Sequence, residues 1–421
     1  MSRDVVLVTI DCWRHDALDQ MPQLKSLTSA FEWSEMITQS ASTRGGFPAL
    51  LHGQYYPQVY SSFDIVRSGV QSLPAILGSN GYATGAICGS NPFLDVWADD
   101  FDHFWNGRSP SGSATPEVPE RLQKGLSQVH HLANIIRLRS EVPVTEIARR
   151  ARTWYEAQDG PRFLWLHLMD IHVPFLPGFR GAVREGLLDT YRSHLSFMRA
   201  PHETSEKHLA TLENLYWRTV ERLDDQLGAV FDFIDDDATI VITGDHGEEF
   251  DHDRFGHARL YDECVRVPLG IDWNMADNLS LPDWPVQQID IPPTILQGLG
   301  LPIPEDWEGI PIQEEAKRPA FILNHSPLFG RIYAGVRTDS HKLIKVFDDQ
   351  TNEEVRTEAY DLRDDPGERT DLGGDAPVVR DLERQLESFL RRDDIQGNIH
   401  EHPRDDVDPV IQDRLAALGY K

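Results

Sequence analysis

The chain has 421 residues, more than one ordinary hydrophobic core accommodates, so a large domain joined to a smaller one is expected. Its 40% hydrophobic and 9% aromatic content is that of a globular protein, and no run approaches the roughly 18 apolar residues of a membrane span. The formal charge of −28, with seven lysines among the 40 basic residues, leaves no basic stripe for phosphates and argues against nucleic acid as a partner. Such charge is best tolerated when screened, which predicts a high-salt, halophilic cytoplasm; a merely acidic mesophilic enzyme is the plainer alternative.

The N-terminus leads directly into the apolar run Val5–Ile10, read as a first strand rather than a secretory signal, and the cysteines Cys12, Cys88 and Cys264 are too few and too scattered for a disulfide framework. Both features fit a reducing cytoplasm. Helical spacing follows at 73–77, 148–157 and 209–233, and strand-like runs at 163–168 and 239–243. The Ser-, Pro- and Gly-rich stretch 108–119 reads as a surface loop, and 289–300, with Pro292 and Pro293 in its first turn, as a helix closing the main domain. Three apolar runs end abruptly in chemically capable residues: Val5–Ile10 at Asp11, 163–168 before Asp170 and His172, and 239–243 before Asp245 and His246. In an open parallel sheet those carboxyl ends meet at one crevice.

Alternating strands and helices predict a mostly parallel sheet covered on both faces, occupying about residues 1–316. Short strands at 321–323, 332–337 and 342–347, a turn at 348–352 and a helix at 377–391 predict a small antiparallel α+β subdomain over 317–421. The polar stretch 392–408 reads as a loose strap.

The segments LVTIDCWRHDAL (7–18), TRGGFPALLHG (43–53), HLMDIHVPF (167–175), TGDHGEEF (243–250) and GHARLYDECVRVPL (256–269) resemble successive sulfatase blocks. TRGGFPALLHG aligns without gaps on that family's CxPSRxxLLTG signature, and GVRTDSHKLIK and AYDLRDDPGERTDL resemble its closing subdomain. The resemblance implies an alkaline-phosphatase-like three-layer sandwich and a hydrolase of sulfuric or phosphoric esters. It implies one divalent ion, Mg²⁺, Mn²⁺ or Ca²⁺ with Zn²⁺ as a further option, held by Asp11, Asp245, His246 and the Thr43 oxygen. His172 and His257 then fall among the substrate-binding and catalytic residues.

The departures from the family are informative. Cys12 replaces a second Asp, Phe47 replaces an Arg, and His257 replaces the Lys of a GKxxxYE block, while Arg44 restores one positive charge beside Thr43. Thr43 itself stands where sulfatases carry the residue converted to formylglycine, so no formylglycine is expected and the hydroxyl acts as itself. A sulfo-threonine cannot collapse to an aldehyde as formylglycine hydrate does, which favours phosphodiesters, phosphonates or phosphoryl transfer. The alternatives are a sulfatase working on sulfated glycans without formylglycine and a sulfatase-like binding protein without catalysis. An anionic ester, from a glycan or a lipid head group, is the expected partner. His167 reads as a core histidine, with a place lining the site as the alternative, Asp170 as an orienter of His172 rather than a member of a second metal cluster, and Glu248 and Glu249 as solvated or supporting residues.

Overall fold

A computed structural model of the chain describes residues 4–62, 65–107, 135–136, 138, 140–199, 204–252, 255–275, 277–314 and 316–399. Its main sheet is built from β1 (Val5–Ile10), β2 (Glu32–Ile37), β3 (Ala83–Cys88), β4 (His103–Asn106), β5 (Arg162–Leu168), β6 (Thr239–Gly244), β7 (Arg266–Asp272) and β8 (Val286–Gln287). They lie in the order β8-β2-β7-β6-β1-β5-β3-β4, and β7 runs antiparallel to both neighbours. The other pairings are parallel.

Alternation along the central strands explains why the sheet is covered twice. Val5 and Leu7 of β1, with Phe163 and Trp165 of β5, enter one hydrophobic cluster, while Val6, Val8 and Ile10, with Leu164, Leu166 and Leu168, enter the other. Because both faces are apolar, each strand reads as a continuous hydrophobic run. The first layer contains α1 (Thr43–His52); the second contains α2 (Val144–Tyr155) and α3 (Glu206–Asp224).

Residues 320–361 form a four-stranded antiparallel meander, β9 (Ala320–Ser326), β10 (Arg331–Arg337), β11 (His341–Asp348) and β12 (Glu354–Asp361). The helix α4 (Pro377–Leu390) packs Val379, Leu382, Leu386 and Phe389 on it, in the same cluster as Tyr55 and Leu50 of the main layer. The strand β12 is absent from the sequence reading, because Glu354, Val355 and Arg356 are all exposed and carry no periodic apolar signal. Part of the expected strap is also different: Asp393–Ile399 is a helix, with Arg392 paired to Glu308. The loop expected at 108–119 lies outside the described residues.

A buried ionic cluster ties the meander to the loop that carries His257. Lys342, fully buried, donates to the Leu260 carbonyl at 2.9 Å and pairs with Glu368 at 2.7 Å and with Asp262. Arg337 adds a second ion pair to Asp262 at 2.8 Å. Burial acts to raise the Asp262 carboxyl, but Lys342 and Arg337 outweigh it and hold it far below the usual range. Removing the cation leaves the buried Glu368 without its counter-charge and Asp262 with Arg337 alone, so Lys342→Met is expected to lower the unfolding free energy by about 3–5 kcal/mol in denaturant titrations.

Candidate active site

The parallel registers decide where the site forms. Ile10 is level with Leu168 on one side and Gly244 on the other, so the chain leaves β1, β5 and β6 at one height. Asp11 continues the Val5–Leu7–Thr9 side of β1, and Asp245 continues the Val241–Thr243 side of β6. That is the face covered by α1, and Thr43 is its first residue. Ser42 caps the helix by accepting from the Gly45 amide at 3.4 Å. The helix therefore begins at Thr43, with Pro48 inside it. Pro48 cannot donate to the Arg44 carbonyl, and the Tyr60 hydroxyl does so instead at 3.2 Å. Gly46 permits the close approach, since a Cβ there would stand 3.2 Å from the Asp245 carbonyl oxygen.

The Thr43 hydroxyl donates to Asp11 Oδ2 at 3.3 Å and lies 3.3 Å from His246 Nε2. His246 Nε2 is 3.6 Å from Asp11 Oδ1 and 3.6 Å from Asp245 Oδ2. Its Nδ1 meets the Gly247 carbonyl at 2.8 Å and must donate there, leaving the Nε2 lone pair toward the carboxylates. Asp11, Asp245 and His246 are each 0% exposed, and Asp245 Oδ2 has no hydrogen-bond partner. Donor separations of 3.3 to 3.6 Å suit neighbours around an ion with bonds of about 2.0–2.2 Å, so these residues fit a divalent cation.

The electrostatics agree with that fit. Burial acts to raise the Asp11 carboxyl, and it is held well below the carboxylate range only by positive charge facing it, which His172, His167 and His246 supply when no ion is bound. Asp245 is pushed up to about 8, first by burial and then by the Asp11 charge. Burial depresses His246 and raises the Cys12 thiol, which donates to Asp11 Oδ1 at 3.1 Å.

His172 and His257 stand beside this group, their rings 5.6 Å apart, and the His257 ring is 4.4 Å from that of His246. Glu248 Oε1 lies 3.4 Å from His257 Nδ1, and Glu248 is fully buried rather than solvated. Glu249 is buried too, paired with Arg259. Arg44 lies with its guanidinium 4.7 Å from the centre of the Tyr60 ring. Asp170 does not orient His172. It accepts from the Val144 amide at 3.2 Å, whereas His172 Nδ1 faces the Val173 carbonyl at 2.6 Å.

Two residues escaped the sequence reading. Asn91 donates to Asp11 Oδ2 at 3.1 Å and is held by a reciprocal pair of bonds with Asn106. The strand-end rule, applied to β3, would have reached it. Asn324 of β9 accepts from Ser40 at 2.9 Å and from Ser42 at 2.7 Å, and donates to the Ala258 carbonyl at 2.8 Å. It thereby joins the cap of the Thr43 helix to the residue after His257. No local pattern marks an asparagine in a strand 282 positions away.

The fold is the alkaline-phosphatase-like sulfatase architecture, and the convergence of carboxylates, imidazoles and a hydroxyl at its strand ends is a group that could hold a metal ion. A family model described as Sulfatase matches residues 3–301, and one described as N-sulphoglucosamine sulphohydrolase, C-terminal, matches residues 247–396. The chain belongs to the sulfatase family.

It is similar to the N-acetylglucosamine-6-O-sulfatase of Bacteroides thetaiotaomicron, with 25% identity over 47% of this chain and 38% of that protein. It is similar also to the multifunctional alkaline phosphatase superfamily protein PehA of Trinickia caryophylli, with 26% identity over 70% of this chain and 64% of that protein. The match thus spans less than two thirds of either relative. Among solved structures, a 2-O GAG sulfatase superposes with a TM-score of 0.66 at 14% identity, over 97% of this chain and 96% of that one. The phosphonate monoester hydrolase of Silicibacter pomeroyi superposes at 0.63 and 17%, over 93% and 95%.

Burial pushes the Asp170 carboxyl up to about 6 from an unfolded value near 3.8. A raised acid contributes stability that is complete below the unfolded value and lost as pH rises through the folded one. Asp170→Asn is therefore expected to gain on the wild type by on the order of 2–3 kcal/mol between pH 4 and pH 7, read as the difference between their denaturation curves.

Proposed function

We propose that the chain is a metal-dependent hydrolase of tetrahedral anionic esters with Thr43 as nucleophile, favouring phosphodiester, phosphonate or phosphoryl-transfer chemistry over sulfate. The observation that carries the reading is the Thr43 hydroxyl, 3.3 Å from both Asp11 Oδ2 and His246 Nε2. Asp11, Asp245 and His246, with Thr43 Oγ1, are the residues that would hold the ion. When bound, a divalent cation supplies the positive charge that makes a neutral hydroxyl a competent nucleophile near neutral pH.

The chain's own residues account for the rest. Thr43 Oγ1 gives its proton to Asp11 and forms a bond to phosphorus in line as the bond to the ester oxygen breaks, and that oxygen takes a proton from His257, which Glu248 orients. Water then attacks phosphorus in the threonine ester, giving a proton to His257, while Thr43 Oγ1 leaves and takes its proton back from Asp11, freeing the acid product. His172 binds the substrate beside His257. Arg44, adjacent to the nucleophile, takes the equatorial oxygens in place of the cation lost where Phe47 stands. Phe47 is fully buried, its ring 4.9 Å from that of Trp165, and has no means of gripping an anion.

A second reading, hydrolysis of glycan sulfate esters, is favoured by the company the chain keeps. One curated relative is an N-acetylglucosamine-6-O-sulfatase, and one solved structure with this fold holds D-glucosamine-2-N,6-O-disulfate. The phosphonate monoester hydrolase with the same fold supports the first reading. Under the second, water must displace threonine directly at sulfur.

Purified protein assayed on aryl sulfate, phosphate monoester, phosphate diester and phosphonate ester separates the two. Turnover of phosphorus esters, abolished by chelation and restored by a divalent ion, is the expected result, with a phosphoryl adduct on Thr43 detected by mass spectrometry. Thr43→Ala should lower kcat by about 10³-fold or more, and Thr43→Ser should retain measurable activity. Turnover of sulfate alone would establish the second reading.

A further inference from the structure

We propose that His167 is itself a ligand of the ion through Nε2. The donor set then comprises two carboxylates, two imidazoles and the Thr43 hydroxyl, and it selects zinc or a similar transition ion over calcium or magnesium. This rests on the reading of Asp11, Asp245 and His246 as an ion site, and it adds a donor from a residue whose apolar setting marks it as core.

Register puts His167 in place. It is level with Thr9 of β1, which is level in turn with Thr243 of β6, and it continues the Phe163–Trp165 side of β5. Asp11 and Asp245 follow two residues after those threonines on the same face. A ring nitrogen of His167, an Asp11 oxygen and an Asp245 oxygen all lie within 4.8 Å of one another, and Nε2 is the nitrogen that faces Asp11. The imidazole is held by the Phe47 ring, whose centre is 5.2 Å away with the planes 81° apart.

The proton inventory decides what Nε2 carries. Thr9 Oγ1 donates its one proton to the Leu166 carbonyl at 3.2 Å and accepts from the Trp165 indole at 3.0 Å. With that proton on Leu166, the 2.9 Å contact between Thr9 Oγ1 and His167 Nδ1 has Nδ1 as its donor. In the neutral ring Nε2 is then a lone pair. It is fully buried, has no hydrogen-bond partner, and lies 3.4 Å from Asp11 Oδ2, while Asp245 Oδ2 is also without a partner.

A lone pair confronting carboxylate oxygens in a buried pocket is repulsive unless a proton or a cation lies among them, and the unpartnered Asp245 oxygen calls for the cation. The threonine at Nδ1 plays the part usual behind a metal-bound histidine, fixing the tautomer and the ring. Two imidazoles among hard oxygens suit zinc, manganese or cobalt, whereas calcium and magnesium prefer oxygen alone. His167 also offsets the carboxylate missing at Cys12, whose thiol donates to Asp11 instead of adding charge.

The test counts nitrogens and ions rather than turnover. Chelator-stripped full-length protein is titrated with zinc, manganese, calcium and magnesium, bound metal is measured by mass spectrometry, and the zinc-loaded form is examined by X-ray absorption for imidazole scattering. The wild type should bind zinc or manganese well ahead of calcium and show two imidazoles. His167→Gln should show one, and its affinity for zinc should drop at least about tenfold. Because the wild-type count needs no variant, misfolding of His167→Gln leaves the test intact.

One imidazole in the wild type, or unchanged zinc affinity and count in His167→Gln, would overturn the assignment. It would leave His167 as a protonated partner of Asp11, with the ion site of Asp11, Asp245 and His246 standing. A wild type that binds none of the four ions would remove that site, and the inference with it.

Discussion

Two carboxylates and at least two imidazole nitrogens share a buried pocket, and the need to offset their charge organises the elements around it. Asp11 and Asp245 are both wholly inaccessible, and burial together with mutual repulsion drives Asp245 toward its neutral form while Asp11 stays ionised. An arrangement this costly persists only where the surrounding structure imposes it. Here the level ends of three adjacent parallel strands impose it from below, and the capped first turn of α1 closes it from above.

The antiparallel meander is part of that imposition. Asn324 holds Ser40 and Ser42 on one side and the Ala258 carbonyl on the other, so the helix carrying Thr43 and the loop carrying His257 are positioned by one side chain. Lys342, buried between Asp262 and Glu368, secures the far end of the same loop. The small sheet thus acts on the site through hydrogen bonds and ion pairs, while its apolar face, shared with α4, merges with the core of the main layer.

Departures from the family pattern fall into a consistent set. Where sulfatases carry an arginine near the nucleophile, Phe47 fills space against Trp165 and the edge of His167. Where they carry a lysine, His257 sits beside Glu248, and where they carry a second aspartate, Cys12 offers a thiol proton. Each change removes a fixed charge and adds a soft or apolar group. The pocket is accordingly richer in nitrogen and poorer in cations than one built to clasp a sulfate.

The sequence by itself determined the layers and most of the site. Continuous apolar strands buried on both faces, and polar residues at their ends, are local properties written in consecutive positions. Asp11, Asp245 and His246 were therefore legible as strand-end residues meeting at one crevice, while Thr43 joined them only through the resemblance to the sulfatase signature. Tertiary structure alone decided the roles that depend on what lies opposite. His167 has an apolar neighbourhood in the chain, and only the register of β5 on β1 aims its second nitrogen at a carboxylate. Asn91 and Asn324 act across 80 and 282 positions, and Asp170, adjacent to the site in sequence, bonds to the start of α2 instead. Periodicity reports which face a residue takes; what it meets there is set by the packing of segments that the chain brings together only on folding.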